Sequence, residues 1–142
     1  MNQDSLQSIE YEIALLVRLT TAYSPKLGDL DRSEYLILSE VNENGPLAIN
    51  VIAEKLMLNI STASRQVGTL ESKQYIKRFP APDNGRISLI ELTNKGQEIL
   101  NIVQESRYNF YSEVLQNWSR VELKQLEDNL IRLNKDFKNR KG

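Results

Sequence analysis

The chain has 142 residues with neither cysteine nor histidine, which excludes disulfides, thiol redox sensing, the usual zinc sites and the commonest general base. Forty per cent of its residues are apolar, enough for the core of one compact domain, and no apolar run is long enough to span a bilayer. The formal net charge of −1 hides an uneven distribution: residues 1–50 hold three basic and eight acidic residues, and residues 51–95 hold seven basic and four acidic. A polyanionic partner requires a local positive field, so it is expected to meet the middle third, with the acidic first third turned away.

The opening residues Met1-Asn2-Gln3-Asp4-Ser5 lack the basic and apolar regions of a secretory leader, so a cytoplasmic location is expected. A first helix is predicted over 4–23, with an apolar stripe of Leu6, Ile9, Ile13, Leu16, Val17 and Thr20; Ser24-Pro25 and Gly28 end it. The second helix starts at Asp31, an N-cap with Glu34 three residues on, buries Tyr35, Leu38 and Val41, and stops near Asn44-Gly45-Pro46. A short helix over 49–56 presents Val51, Ile52 and Leu56 inward. Met57-Leu58-Asn59 is a tight connection whose last residue caps the next helix.

That helix carries Ile60, Ala63, Val67 and Leu70 at spacings of 3, 4 and 3, one buried face. Its other face shows Ser61, Thr62, Ser64, Arg65 and Gln66. Small hydroxyls, a guanidinium and an amide at a helix start can approach base edges closely and hydrogen-bond them. Two short apolar runs, 75–79 and 87–92, flank Pro80-Ala81-Pro82-Asp83-Asn84-Gly85, a cluster of turn formers. They read as a hairpin bearing Lys77, Arg78 and Arg86. An arginine at a hairpin tip suits the negative potential of a narrow minor groove. Thr93 caps a long helix containing Ile99, Leu100, Ile102, Val103, Phe110, Val114 and Leu115. Ser119 with Glu122 opens a last one, whose Leu123, Leu126, Leu130, Leu133 and Phe137 form a heptad-like seam. The fold class expected is mostly α with a small β-hairpin wing, a winged helix-turn-helix over 31–94 flanked by helices at 1–30 and 95–142, all one domain. The flanking helices either interlock with a second copy or merely cover the winged unit.

With these pieces in order, the chain resembles the MarR family of transcriptional regulators. The resemblance is carried by Leu30-Asp31-Arg32-Ser33-Glu34-Tyr35-Leu36-Ile37-Leu38, Ile52-Ala53-Glu54-Lys55-Leu56, the helix from Ser61 to Leu70, Tyr75-Ile76-Lys77-Arg78, Asn84-Gly85-Arg86 and Leu92-Thr93-Asn94-Lys95-Gly96. It implies a homodimeric regulator, most often a repressor, that covers a pseudo-palindromic site on double-stranded DNA and is released by a small aromatic or phenolic anion. The sequence departs from the family pattern where Asn84 replaces an aspartate in the wing and where Gln74 and Met57 stand at positions commonly held by glycine.

The DNA-contacting candidates are Asn59, Ser61, Thr62, Ser64, Arg65, Gln66, Lys73, Lys77, Arg78, Asn84 and Arg86. For Lys73, Lys77 and Arg78 the alternatives are phosphate contact and ordinary solubilising charge. Tyr11, Tyr35 and Tyr111 are candidates for an aromatic effector pocket, with Arg18 and Arg107 able to neutralise an anion; aromatics at helical spacing also serve as core. No cofactor, metal site or membrane contact is expected. No nucleophile–base pair or phosphate-binding glycine loop supports an enzyme. A winged helix that binds protein, and a DNA-binding regulator without an effector, are the alternative functions.

Overall fold

The computed structural model describes residues 3–140; Met1 and Asn2, the first residues of the segment read for a leader, lie outside them. The elements are α1 (Gln3–Ala22), a single 3-10 turn (Ser24–Leu27), α2 (Arg32–Asn44), β1 (Leu47–Ala48), α3 (Ile49–Leu56), α4 (Ile60–Ser72), β2 (Ile76–Ala81), β3 (Asn84–Leu92), α5 (Asn94–Val114) and α6 (Arg120–Asn139). The three strands form one antiparallel sheet in the order β1-β3-β2. The fold class is the one expected. Strand β1 is the addition: two residues carry no period, and only the pairing of Leu47 with Ile90 and Ala48 with Leu89 makes them a strand. No helix among the described residues is long and apolar enough to cross a membrane.

The helix ends follow the local chemistry. Asp31 accepts from Glu34 N at 2.8 Å while Glu34 Oε1 accepts from Asp31 N at 3.1 Å, a complete capping box. Ser119 and Glu122 repeat it at α6. Such caps satisfy amides that have no partner inside the helix. Thr93 caps α5 by accepting from Gly96 N, and its hydroxyl donates to Gln74 O at 2.6 Å, tying the exit of α4 to the start of α5. Gly96 is required by close approach, because a Cβ there would overlap the backbone carbonyl of Tyr75.

The core gathers Ile37, Leu38 and Val41 of α2, Ile52 of α3, Val67 and Leu70 of α4, Ile76 and Ile90 of the sheet, and Leu100 and Val103 of α5. Burying an aliphatic side chain of this size contributes about 2 kcal/mol, so these contacts hold the four helices and the sheet as one unit. Two positions differ from expectation. Ile37, not Tyr35, fills the centre of the α2 face; Tyr35 is half-buried at its edge. Ile60 is 63% exposed; as the first residue of α4 it stands at the outer end of the buried face. Ala63, Val67 and Leu70 alone form the buried face.

Met57 and Gln74 both adopt positive φ, 53° and 66°. The glycine-like backbone is therefore kept at both positions by residues that carry a Cβ. The surrounding packing imposes it at a cost of about 1 kcal/mol each.

Candidate DNA-contacting surface

The helix-turn-helix is α3, the Met57–Asn59 connection and α4. The Asn59 side chain accepts from Thr62 N at 2.8 Å and from the Ser61 hydroxyl at 2.9 Å. Asn59 thus acts first as a cap, and Thr62 is half-buried beneath it. Ser61, Ser64 and Arg65 lie on the exposed face of α4. Gly68 shares that face, with open space where a Cβ would stand. Gln66 is turned off it: its Oε1 is buried and has no hydrogen-bond partner. The exposed face is flat and small-sided, with one long cation near its centre.

The wing is β2 and β3, paired from Ile76 opposite Leu92 to Pro80 opposite Ser88. The register then shifts so that Ala81 faces Asn84, and Gly85, Arg86 and Ile87 have no partners on β2. This irregularity bulges the tip and pushes Arg86 outward. Asn84 Oδ1 accepts from Arg86 N at 3.1 Å, so the amide does for the backbone what a carboxylate would do, without adding charge. Among the described residues the guanidinium groups of Arg65 and Arg86 have neither an ion pair nor a hydrogen bond, which leaves both free for an external anion.

The other three basic candidates are paired within the chain. Lys77 meets Glu91, its cross-strand neighbour, at 3.1 Å, and Arg78 Nε meets Glu71 at 3.0 Å. Exposed pairs of this kind are weak and exchange readily with other anions. Lys73 is different: its ammonium lies 2.5 Å from Oε2 of Glu34, whose side chain is 8% exposed. That hydrogen bond holds the Lys73 pKa above its ordinary value against the opposing effect of burial. Lys95 sits over the Tyr75 ring, 5.6 Å from its centre.

The aromatic candidates are only partly brought together. Tyr35 and Tyr111 line a cleft of about 630 Å³ with Tyr108, Trp118 and Leu123. Arg107 lies over the Tyr35 ring at 3.8 Å and forms the wall between this cleft and a second of about 650 Å³, bounded by Thr20, Thr21, Asp31, Arg32 and Ser33. Arg107 Nε is buried without a partner. Tyr11 is 62% exposed on α1 and, like Arg18, lines neither cleft. No group of three or more carboxylates among the described residues is placed to hold a metal ion.

A short helix, a tight turn, a second helix with a free polar face and a basic hairpin beside it define a winged helix-turn-helix protein. A sequence profile of the MarR family matches residues 30–88. The HTH-type transcriptional regulator YxaD of Bacillus subtilis is 37% identical over 139 residues, covering 96% of this chain and 97% of its own. The crystal structure of the transcriptional regulator SlyA superposes with a TM-score of 0.74 at 30% identity, over 96% of this chain and 95% of that one. FabT of Streptococcus pneumoniae, solved in complex with DNA, shares the fold at 18% identity and a TM-score of 0.68, over 96% of this chain and 94% of its own. The chain belongs to the MarR family. It is a DNA-binding transcriptional regulator, not an enzyme.

Proposed function

We propose that the protein is a cytoplasmic homodimeric repressor that grips a pseudo-palindromic operator with α4 in the major groove and the wing tip at the minor groove. The observation that carries this reading is the pair of unpaired guanidinium groups, Arg65 on the exposed face of α4 and Arg86 at the bulged tip. Arg65 stands among Ser61, Ser64 and Gly68, and Arg86 beside Asn84, Gly85 and the exposed Ile87. Arginine in these two settings matches bidentate reading of guanine and insertion into a narrow groove. The FabT–DNA complex supports it by fold. A two-fold dimer would set two such heads about one helical turn apart, and exposed Leu16, Val17, Val121 and Phe137 on α1 and α6 supply apolar surface for the partner.

The effector in this reading is a small aromatic anion held against Arg107 and Tyr35. The support is a buried guanidinium nitrogen with no partner beside an aromatic-walled cleft. For release, such a molecule must bind the DNA-incompetent arrangement more tightly than the competent one.

The test is fluorescence anisotropy on the duplex upstream of the protein's own coding sequence, against a scrambled duplex, at low and near-physiological salt. Preferential binding that falls steeply with salt is the expected result. Equal binding to both duplexes, or none, rejects that duplex as the operator; failure of unbiased duplex selection to enrich any sequence rejects the reading.

A further inference from the structure

Lys73 is distinguished from the other basic side chains near α4 by its partner. Glu34 is the one buried charged residue among the described residues, and both of its carboxylate oxygens are engaged. Oε1 accepts from Asp31 N at 3.1 Å, and Oε2 accepts from Lys73 Nζ at 2.5 Å. A carboxylate withdrawn from water must keep its counter-charge, so the Lys73 ammonium cannot swing to a phosphate without stranding Glu34. Lys73 is also the C-cap residue of α4, whereas Glu34 stands in the first turn of α2. The pair is a strut from the start of one helix to the end of the other. Its foot, the Asp31 capping box, walls the larger cleft.

We propose that Lys73 is a positioning residue for DNA recognition: it touches no DNA and sets the attitude of α4 through Glu34. The proposal rests on the reading of α4 as the DNA-contacting helix. A positioning residue and a phosphate contact differ in one measurable respect. Removing a phosphate contact lowers the salt slope of binding by about one, whereas losing helix alignment weakens binding without removing a released counterion.

The experiment compares Lys73→Met, Glu34→Gln, the double variant and Lys73→Arg on an operator obtained by duplex selection. Glu34→Gln keeps an oxygen for the Asp31 amide and removes the charge. Each of the first two is expected to weaken binding about tenfold at unchanged salt slope, with the double variant no worse than either because both break one interaction. Lys73→Arg should restore binding. A Lys73→Met variant with a reduced slope beside a Glu34→Gln variant that binds like the wild type makes Lys73 a phosphate contact and overturns the proposal. Hydrogen exchange on the DNA-free protein separates this outcome from a failure of the DNA reading itself. Faster exchange at residues 73–75 in both variants, with α3 unchanged, is the signature of a lost strut. Unchanged exchange there overturns the strut whatever the DNA result. A wild type that discriminates between no duplexes overturns both the DNA reading and the positioning role.

Discussion

The winged unit and the last helix handle apolar side chains in opposite ways. In the first, Ile37, Leu38, Ile52, Val67, Leu70 and Ile90 are fully covered, by one another and by Leu100 and Val103 of α5. In α6 no residue is buried, and Leu130, Ile131 and Phe137 stand open. One region is complete within a single copy, and the other has an apolar seam that this copy leaves uncovered. The contrast teaches where burial within one copy ends: the winged unit closes its core together with α5, whereas α6 keeps apolar surface that the proposed dimer would cover.

The largest expected effect breaks that contrast outright. Truncation after Trp118 should abolish dimerisation and operator binding together while circular dichroism keeps the helical signal of the winged unit. A truncated protein that still sediments as a tight dimer would remove α6 as the main interface. Where α5 meets the winged unit, Gly96→Ala should lower stability by about 2 kcal/mol through overpacking against the Tyr75 carbonyl. Denaturant titration reads this, and a midpoint equal to the wild type would mean that α5 shifts freely there. On the reading surface, Arg86→Ala should weaken binding across many sequences and reduce the salt slope by about one; an unaltered slope removes the wing tip from contact. Gln74→Gly should raise stability by about 1 kcal/mol, since glycine accepts the left-handed backbone without a Cβ clash. Thermal melts check the sign. The smallest effect concerns pH. With no histidine in the chain and the Lys73 pKa raised above 10.5, the strut should persist through neutrality. On the alkaline side its contribution should fade as pH rises past that value, where the ammonium deprotonates. Affinity should therefore stay nearly flat between pH 6 and 8, as a titration series at fixed salt would record.

Much of this was legible because the signals are local. Asp31 with Glu34, Asn59, Thr93 and Ser119 with Glu122 mark four helix starts, and each satisfies amides within three residues of itself. The spacing of Ala63, Val67 and Leu70 identified the inner face of α4. Ile60 misled the same rule, since periodicity says which side a residue is on and not whether anything covers it. Asn84 and Gln74 depart from the family pattern. The structure shows an amide that still anchors the wing turn and a glutamine that still turns left-handed.

By itself, the sequence determined the helix-turn-helix, the wing and the basic middle third, because caps, turn formers and helical period act over a few residues. Tertiary structure alone decided which cations are free. Arg65 and Arg86 are unpaired, whereas Lys73 answers a carboxylate 39 positions away. It also placed Arg107 against Tyr35 and left Tyr11 aside. A charge's partner depends on which helices pack together, and no local pattern records that distance.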